Sequence, residues 1–198
     1  MKKLFIFVLF LSFQVGAAVK YLPGEYKVDP DHTRVGFLIQ HFMISLVEGR
    51  FNDVKGTLVL APKFTDSSVE AIVDINSVDT AVKKRDEDLL SERFFDAIKY
   101  PTMSLKSKKF KGKPEAFTLV ADLTIKDVTK EVTFKGAYTG EMSDPWGNDR
   151  VAINMTAKIN RKDFHINYNE KASNGPAIGD EVTIIVRGDG VKKGSAAK

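Results

Sequence analysis

From Tyr21 onward, apolar and polar positions alternate through most of the chain, the period-two mark of strands with one buried face. Val35, Phe37, Ile39 and His41 share one face, opposite Arg34, Gly36, Leu38 and Gln40. The same rule groups Val69, Ala71, Val73 and Ile75, and then Phe117, Leu119, Ala121, Leu123 and Ile125. Further along it groups Val132, Phe134, Gly136 and Tyr138, and then Val151, Ile153, Met155, Ala157 and Ile159. Val182, Ile184, Val186 and Gly188 form the last such face. Shorter candidates surround Tyr26, Val47 to Leu60, and Thr102 to Lys108. Turn chemistry separates these runs at Lys126-Asp127-Val128-Thr129, Asp144-Pro145-Trp146-Gly147-Asn148 and Ser173-Asn174-Gly175-Pro176.

The alternation breaks once, between Asp79 and Pro101, where a short helix is expected. Thr80 is a candidate cap for its start, Lys84 and Asp88 sit four apart, and Ser91 is a candidate cap for a further turn carrying Phe94 and Phe95. One short helix cannot cover so large a sheet. The apolar faces must therefore be hidden by the sheet itself, and closure into an all-β, antiparallel barrel of about eight strands is the expected solution. Barrels of that size either fill with side chains or keep room for one small ligand. The inward positions mix Gly, Ala, Val and Ile with few Phe, which favours room.

Composition narrows the function. The chain has 198 residues, enough for one domain with a sizeable core. Its net charge of +4 is mild and scattered, which gives no support to a nucleic-acid partner. Cysteine is absent, which removes disulfides, thiol nucleophiles and iron–sulfur sites together. The N-terminus reads as an address. Lys2 and Lys3 precede an apolar run from Leu4 to Phe13, followed by small residues at Gly16, Ala17 and Ala18. About ten apolar residues cannot cross a bilayer that needs roughly 20. The expected organisation is a cleavable signal over residues 1–18, a barrel over 19–190, and a flexible basic tail over 191–198. Cleavage after Ala17 or Ala18 removes Lys2 and Lys3 and lowers the charge from +4 to +2.

Candidate chemistry is sparse. His32, His41 and His165 match no metal-ligand spacing, so no metal site is expected. Arg85-Asp86-Glu87-Asp88 with Glu92 offers paired carboxylates, yet charge runs on short helices are mostly solvated faces. Neither a nucleophile elbow nor a phosphate-binding loop is present. No cofactor and no catalytic residue are assigned. Phe42 and Met43 read either as core or as an apolar rim around a cavity.

Several segments, in order, carry a resemblance. They are Tyr26-x-Val28-Asp29-Pro30-Asp31-His32-Thr33-x-Val35-x-Phe37, then His41, Gly49-x-Phe51, Ser77-Val78-Asp79-Thr80, Arg85-Asp86 and Phe94-Phe95-Asp96. Lys99-Tyr100-Pro101-Thr102, Leu123 to Lys130, Asn160-Arg161-x-Asp163-Phe164 and Gly179-Asp180-x-Val182 follow. The set resembles the YceI-like, polyisoprenoid-binding family from about Gly24 to Arg187. Two departures stand out: Asp88 replaces a helix histidine that the family often carries, and Phe42-Met43-Ile44 is bulky where a small residue is common. The resemblance implies a lipocalin-like barrel around a long isoprenoid or similar acyl chain, exported to the periplasm.

Burial of a methylene contributes about 0.8 kcal/mol, so inward apolar side chains should decide affinity for such a ligand. The expected tail contacts are Phe37, Ile39, Val73, Ile75, Leu123, Phe134 and Ile153. Phe94 and Phe95 are expected to close one end, with His41, Arg85 and Asp86 meeting a polar head. The expected partner is an isoprenoid, of quinone or polyprenyl type, or another long-chain amphiphile such as a fatty acid or amide. Brief membrane contact would accompany its transfer.

Overall fold

The alternating segments become antiparallel strands that close on themselves. The computed structural model describes residues 20–172 and 175–195. The predicted signal segment and the turn residues Ser173 and Asn174 lie outside the described residues. The strands are β1 (Gly24–Val28), β2 (Arg34–His41), β3 (Ser45–Phe51), β4 (Val54–Leu60), β5 (Ser68–Asp74) and β6 (Val78–Asp79). The helix α1 (Lys83–Leu90) comes next. After it run β7 (Thr102–Lys113), β8 (Ala116–Ile125), β9 (Val128–Ser143), β10 (Asp149–Asn160), the short pair β11 (Lys171–Ala172) and β12 (Gly175–Pro176), and β13 (Ile178–Lys192).

Strands β1, β4, β5, β7, β8, β9, β10 and β13 pair in that order, and β13 returns to β1. Among the described residues this is a closed eight-stranded antiparallel barrel with a single α-helix. Closure removes the sheet edges that an open sheet of this length would expose. Strand β13 is shared: Gly190 to Lys192 pair with β1, while Val182 to Arg187 pair with β2. Strands β1 and β2 thus form one bent wall, and β3 and β4 follow it as a second.

The barrel has two unlike ends. The closed end carries the β4–β5, β7–β8 and β9–β10 connections. Tyr26, Phe64, Phe110, Phe117 and Tyr138 fill it, all buried, with ring centroids of Phe64, Phe110 and Phe117 5.3–5.5 Å apart. The open end carries the β2–β3 hairpin, α1, the β8–β9 turn and the long β10–β13 connection. Glycine seats an aromatic ring at each end. A Cβ at Gly136 would meet the Phe117 ring at 2.6 Å, and one at Gly49 would meet the Phe37 ring at 2.3 Å. Both are directly opposed cross-strand pairs.

Three expectations change. Ile75 belongs to a 3₁₀ turn (Ile75–Ser77), not to the strand before it. Asp74 accepts hydrogen bonds through Oδ1 from the Asn76 amide, which bends the chain and ends the alternation one residue early. Thr80 does not cap α1, whose first residue is Lys83. Finally, Val191 and Lys192, expected in a loose tail, extend β13 and pair with Lys27 and Tyr26.

Candidate functional site

Between the aromatic plug and the open end lies a cavity of about 420 Å³, lined almost wholly by apolar side chains. That volume falls among small-molecule sites, which span roughly 300–1,000 Å³. It runs along the wall built by β10, β13 and β2. Ile184, Val186 and Phe37 face it and remain half-buried, whereas Leu119, Ala121 and Phe110 on the opposite side are at most 1% exposed. The inward residues of β2 and β13 therefore follow the strand alternation without being covered by other side chains.

Of the expected tail contacts, Phe37, Ile39, Val73, Leu123, Phe134 and Ile153 line the cavity. Ile75 does not. It is 2% exposed, its amide bonds Pro101 O at 2.9 Å, and the 3₁₀ turn places it in the buried core. Phe94 and Phe95 line the cavity at the open end. Phe95 meets Phe51 edge-on at 5.8 Å, and Phe94 packs on Tyr168 at 4.8 Å. His41 and Phe42 lie at the mouth, their rings 4.0 Å apart. Phe42 and Met43 hold left-handed backbone with φ of 49° and 61°, which turns the hairpin tip outward. Phe42, Met43 and Ile44 form an exposed apolar rim beside the opening.

The helix was expected to present a solvated charged face, and only part of it does. Lys83 and Glu87 are exposed and pair loosely at 3.8 Å. Arg85, Asp86 and Asp88 are half-buried, and Arg85 and Asp88 line the cavity. Asp86 does not reach the cavity. Its Oδ1 accepts hydrogen bonds from Thr80 N at 2.9 Å and Thr80 Oγ1 at 2.6 Å, which ties α1 to the end of β6. Asp86 is therefore a positioning residue rather than a head-group contact.

The β10–β13 connection supplies the residues that sequence reasoning missed. Arg161 is 3% exposed and donates to Gly179 O, Ile166 O and Asp180 Oδ1 at 2.6–3.0 Å. Burial pushes its guanidinium down, and Asp180 opposes that by stabilising the charge. This network pins the start of β13 to the 3₁₀ turn Arg161–Phe164. Beyond it, Tyr168 and Glu170 cover part of the mouth. Arg93 stacks over the Tyr168 ring at 4.2 Å and reaches both Asp88 and Glu170 at 3.4 Å. That bridge straps the connection to α1. Arg161 and Phe164 stand in one of the segments that carry the resemblance, and this was the available signal for them.

At the lower end of the cavity, Thr33 and Asp189 come from the bend between β1 and β2 and from β13. Asp189 belongs to a cluster in which Arg150 Nη1 bonds Asp29 at 2.7 Å and Asp189 at 2.9 Å, while its Nε bonds Asp144 at 3.0 Å. Burial pushes the Asp144 carboxyl up, but hydrogen bonds from Asn148, Arg150 and Trp146 outweigh it and hold the carboxyl at about 2. Burial raises Asp189 despite Arg150. Of the histidines, His32 bonds Asp29 and His165 bonds Asp127 on the surface, away from His41 at the mouth. Among the described residues no group of His, Asp and Glu is placed to hold a metal ion.

Residues 26–189 match the YceI-like domain, which spans most of the chain. The chain belongs to the YceI-like family. Protein YceI of Escherichia coli is 35% identical to it over 198 residues, covering 98% of this chain and 100% of its own length. Among solved structures, BcnA of Burkholderia cenocepacia superposes with a TM-score of 0.72 at 21% identity, covering 82% of this chain and 98% of its own. A polyisoprenoid-binding domain of Saccharophagus degradans, implicated in plant cell wall breakdown, superposes with a TM-score of 0.66 at 13% identity, covering 84% and 98%. At those identities the two structures show a shared fold.

Proposed function

We propose that this YceI-like protein is an exported, non-catalytic carrier that holds a long-chain isoprenoid lipid, of quinone or polyprenyl type, in its barrel. The observation that carries the reading is the apolar cavity of about 420 Å³ opening beside an apolar rim. A tail of ~15 carbons buried there gains on the order of 0.8 kcal/mol per methylene, far more than an exposed ion pair contributes. Association costs several kcal/mol against this sum. The related fold of the Saccharophagus domain, which binds polyisoprenoid, supports the choice of ligand class. Export to the periplasm rests on Lys2, Lys3, the apolar run and Ala17-Ala18. The alternative is a lipid-modifying enzyme acting through His41, Asp86 or Asp88, and of these Asp86 is engaged by Thr80.

The test is to express the full chain in a Gram-negative host, collect the periplasmic fraction, and sequence the N-terminus. Solvent extraction and mass spectrometry then identify what the protein carries. Cleavage after Ala17 or Ala18 and a co-purified isoprenoid are expected. An intact Met1 overturns export, an empty barrel overturns the carrier role, and a fatty acid or amide replaces the isoprenoid as ligand.

A further inference from the structure

Arg85 lines the cavity with a guanidinium that is firmly held, and among the described residues no carboxylate lies within 4.0 Å of it. Its Nε donates to Thr80 Oγ1 at 2.8 Å and its Nη2 donates to Thr80 O at 2.8 Å. These two N–H groups lie along one edge of the planar group. Thr80, 6% exposed, is itself fixed by Asp86, so the guanidinium is locked in position from behind. Five N–H donors belong to every arginine, and the three that remain here are on Nη1 and Nη2. Together they leave the end-on fork open.

The other arginines of this region behave differently. Arg50, Arg93 and Arg161 each have a carboxylate within 4.0 Å, from Asp79, Asp88 and Asp180 respectively. Among the described residues Arg85 has none at that distance. Asp88, one turn further along α1 and lining the same cavity, is taken by Arg93 at 3.4 Å. A half-buried cation against an apolar wall is poorly solvated, and an entering anion relieves that cost. The open fork suits two oxygens of one carboxylate or phosphate, which is the geometry arginine binds with two parallel hydrogen bonds. A quinone carbonyl or an alcohol offers a single neutral acceptor.

We propose that the lipid carried by this protein has an anionic head, a carboxylate or a phosphate monoester, gripped end-on by the Nη1/Nη2 fork of Arg85 at the mouth of the barrel. This rests on the reading of the cavity as a lipid site, and it selects among the ligands that reading allows. Asp86 and Thr80 act through Arg85 as positioning residues. The tail provides the bulk of the burial, and the head decides which tails are kept.

Three ligands with one tail separate the two readings: farnesol, farnesoic acid and farnesyl phosphate, each radiolabelled and measured by equilibrium dialysis below its micellar range. The mature protein should bind at least one of the two anions about tenfold or more tightly than farnesol, the worth of a charge-assisted pair. Whichever anion binds more tightly tells carboxylate from phosphate. Arg85→Gln should erase the preference, and Arg85→Lys, which keeps the charge without the fork, should keep part of it. Equal binding of all three ligands by the unaltered protein overturns the anionic head and leaves the lipid site standing. So does a preference that survives in folded Arg85→Gln. If none of the three binds, the lipid reading fails and this inference with it. Circular dichroism checks each variant, and if Arg85→Gln does not fold, the unaltered protein and Arg85→Lys decide the matter.

Discussion

The two ends of the barrel are built from the same alternating strands and reach opposite outcomes. At the closed end, Phe64, Phe110 and Phe117 come from the β4–β5 link, β7 and β8 and converge at one level, with Tyr26 and Tyr138 beside them. Their rings consume the interior. Toward the open end, β2 and β13 contribute Ile39, Val182, Ile184 and Val186, which are too short to meet the opposite wall, and a cavity remains. The glycine–aromatic pairs show the same contrast on a small scale. Phe117 over Gly136 is packed by Phe64 and Phe110, while Phe37 over Gly49 touches Phe51 at 6.0 Å and then faces empty space. An inward apolar position is therefore a stability element at one end and part of a cavity wall at the other.

Truncation at the closed end should have the largest effect. Phe110→Ala removes a ring that is 1% exposed, and it should cost about 3–5 kcal/mol in urea unfolding while the folded fraction still carries its lipid. A cost near zero would mean that the plug is not packed. The next contrast uses one substitution twice. Ala121→Phe enlarges a residue that is 0% exposed and should cost about 1–3 kcal/mol or more. Ala71→Phe projects into the cavity, so it should change stability by less than about 1 kcal/mol and abolish lipid retention. Thermal melts together with mass spectrometry of extracted lipid read both quantities, and equal destabilisation by the two variants would break the comparison.

Acid acts on the closed end through the Arg150 cluster. Asp144 is lowered from 3.8 to about 2, so its ionised form stabilises the fold in full above 3.8 and that contribution is lost as the pH falls through about 2. Asp189 is raised and works in the opposite sense, since the fold opposes its ionisation. Asp144→Asn should flatten the acid limb of the stability profile between pH 3.8 and about 2, as urea midpoints across that range would record. The smallest effect belongs to the strap at the mouth. Arg93→Ala breaks exposed ion pairs with Asp88 and Glu170, and stability should fall by less than about 1 kcal/mol. Lipid exchange between protein and vesicles should nevertheless become faster, because Tyr168 loses the group stacked on it. An unchanged exchange rate would mean that the mouth is not held by this bridge.

The faces of the strands were legible in the sequence because side-chain direction in a strand is set locally, residue by residue. That is why Phe37, Ile39, Val73, Leu123, Phe134 and Ile153 all point inward as expected. The rule failed at Ile75, where the side chain of Asp74 captures the Asn76 amide and the strand ends before the pattern does. It also offered no view of Tyr168 or Glu170, because irregular chain carries no period to read.

What the sequence determined by itself was the class of fold: period-two faces on many strands, one short helical break, and therefore a sheet closed into a barrel. Only the tertiary structure decided which inward positions meet and which leave a gap, since that depends on the level at which each strand crosses the axis. It alone also separated the charges of α1, turning Asp86 toward Thr80, giving Asp88 to Arg93, and holding Arg85 against Thr80 where it lines the cavity. A spacing along the chain fixes the side of a helix on which a charge lies. Its partner comes from another element, and folding alone brings the two together.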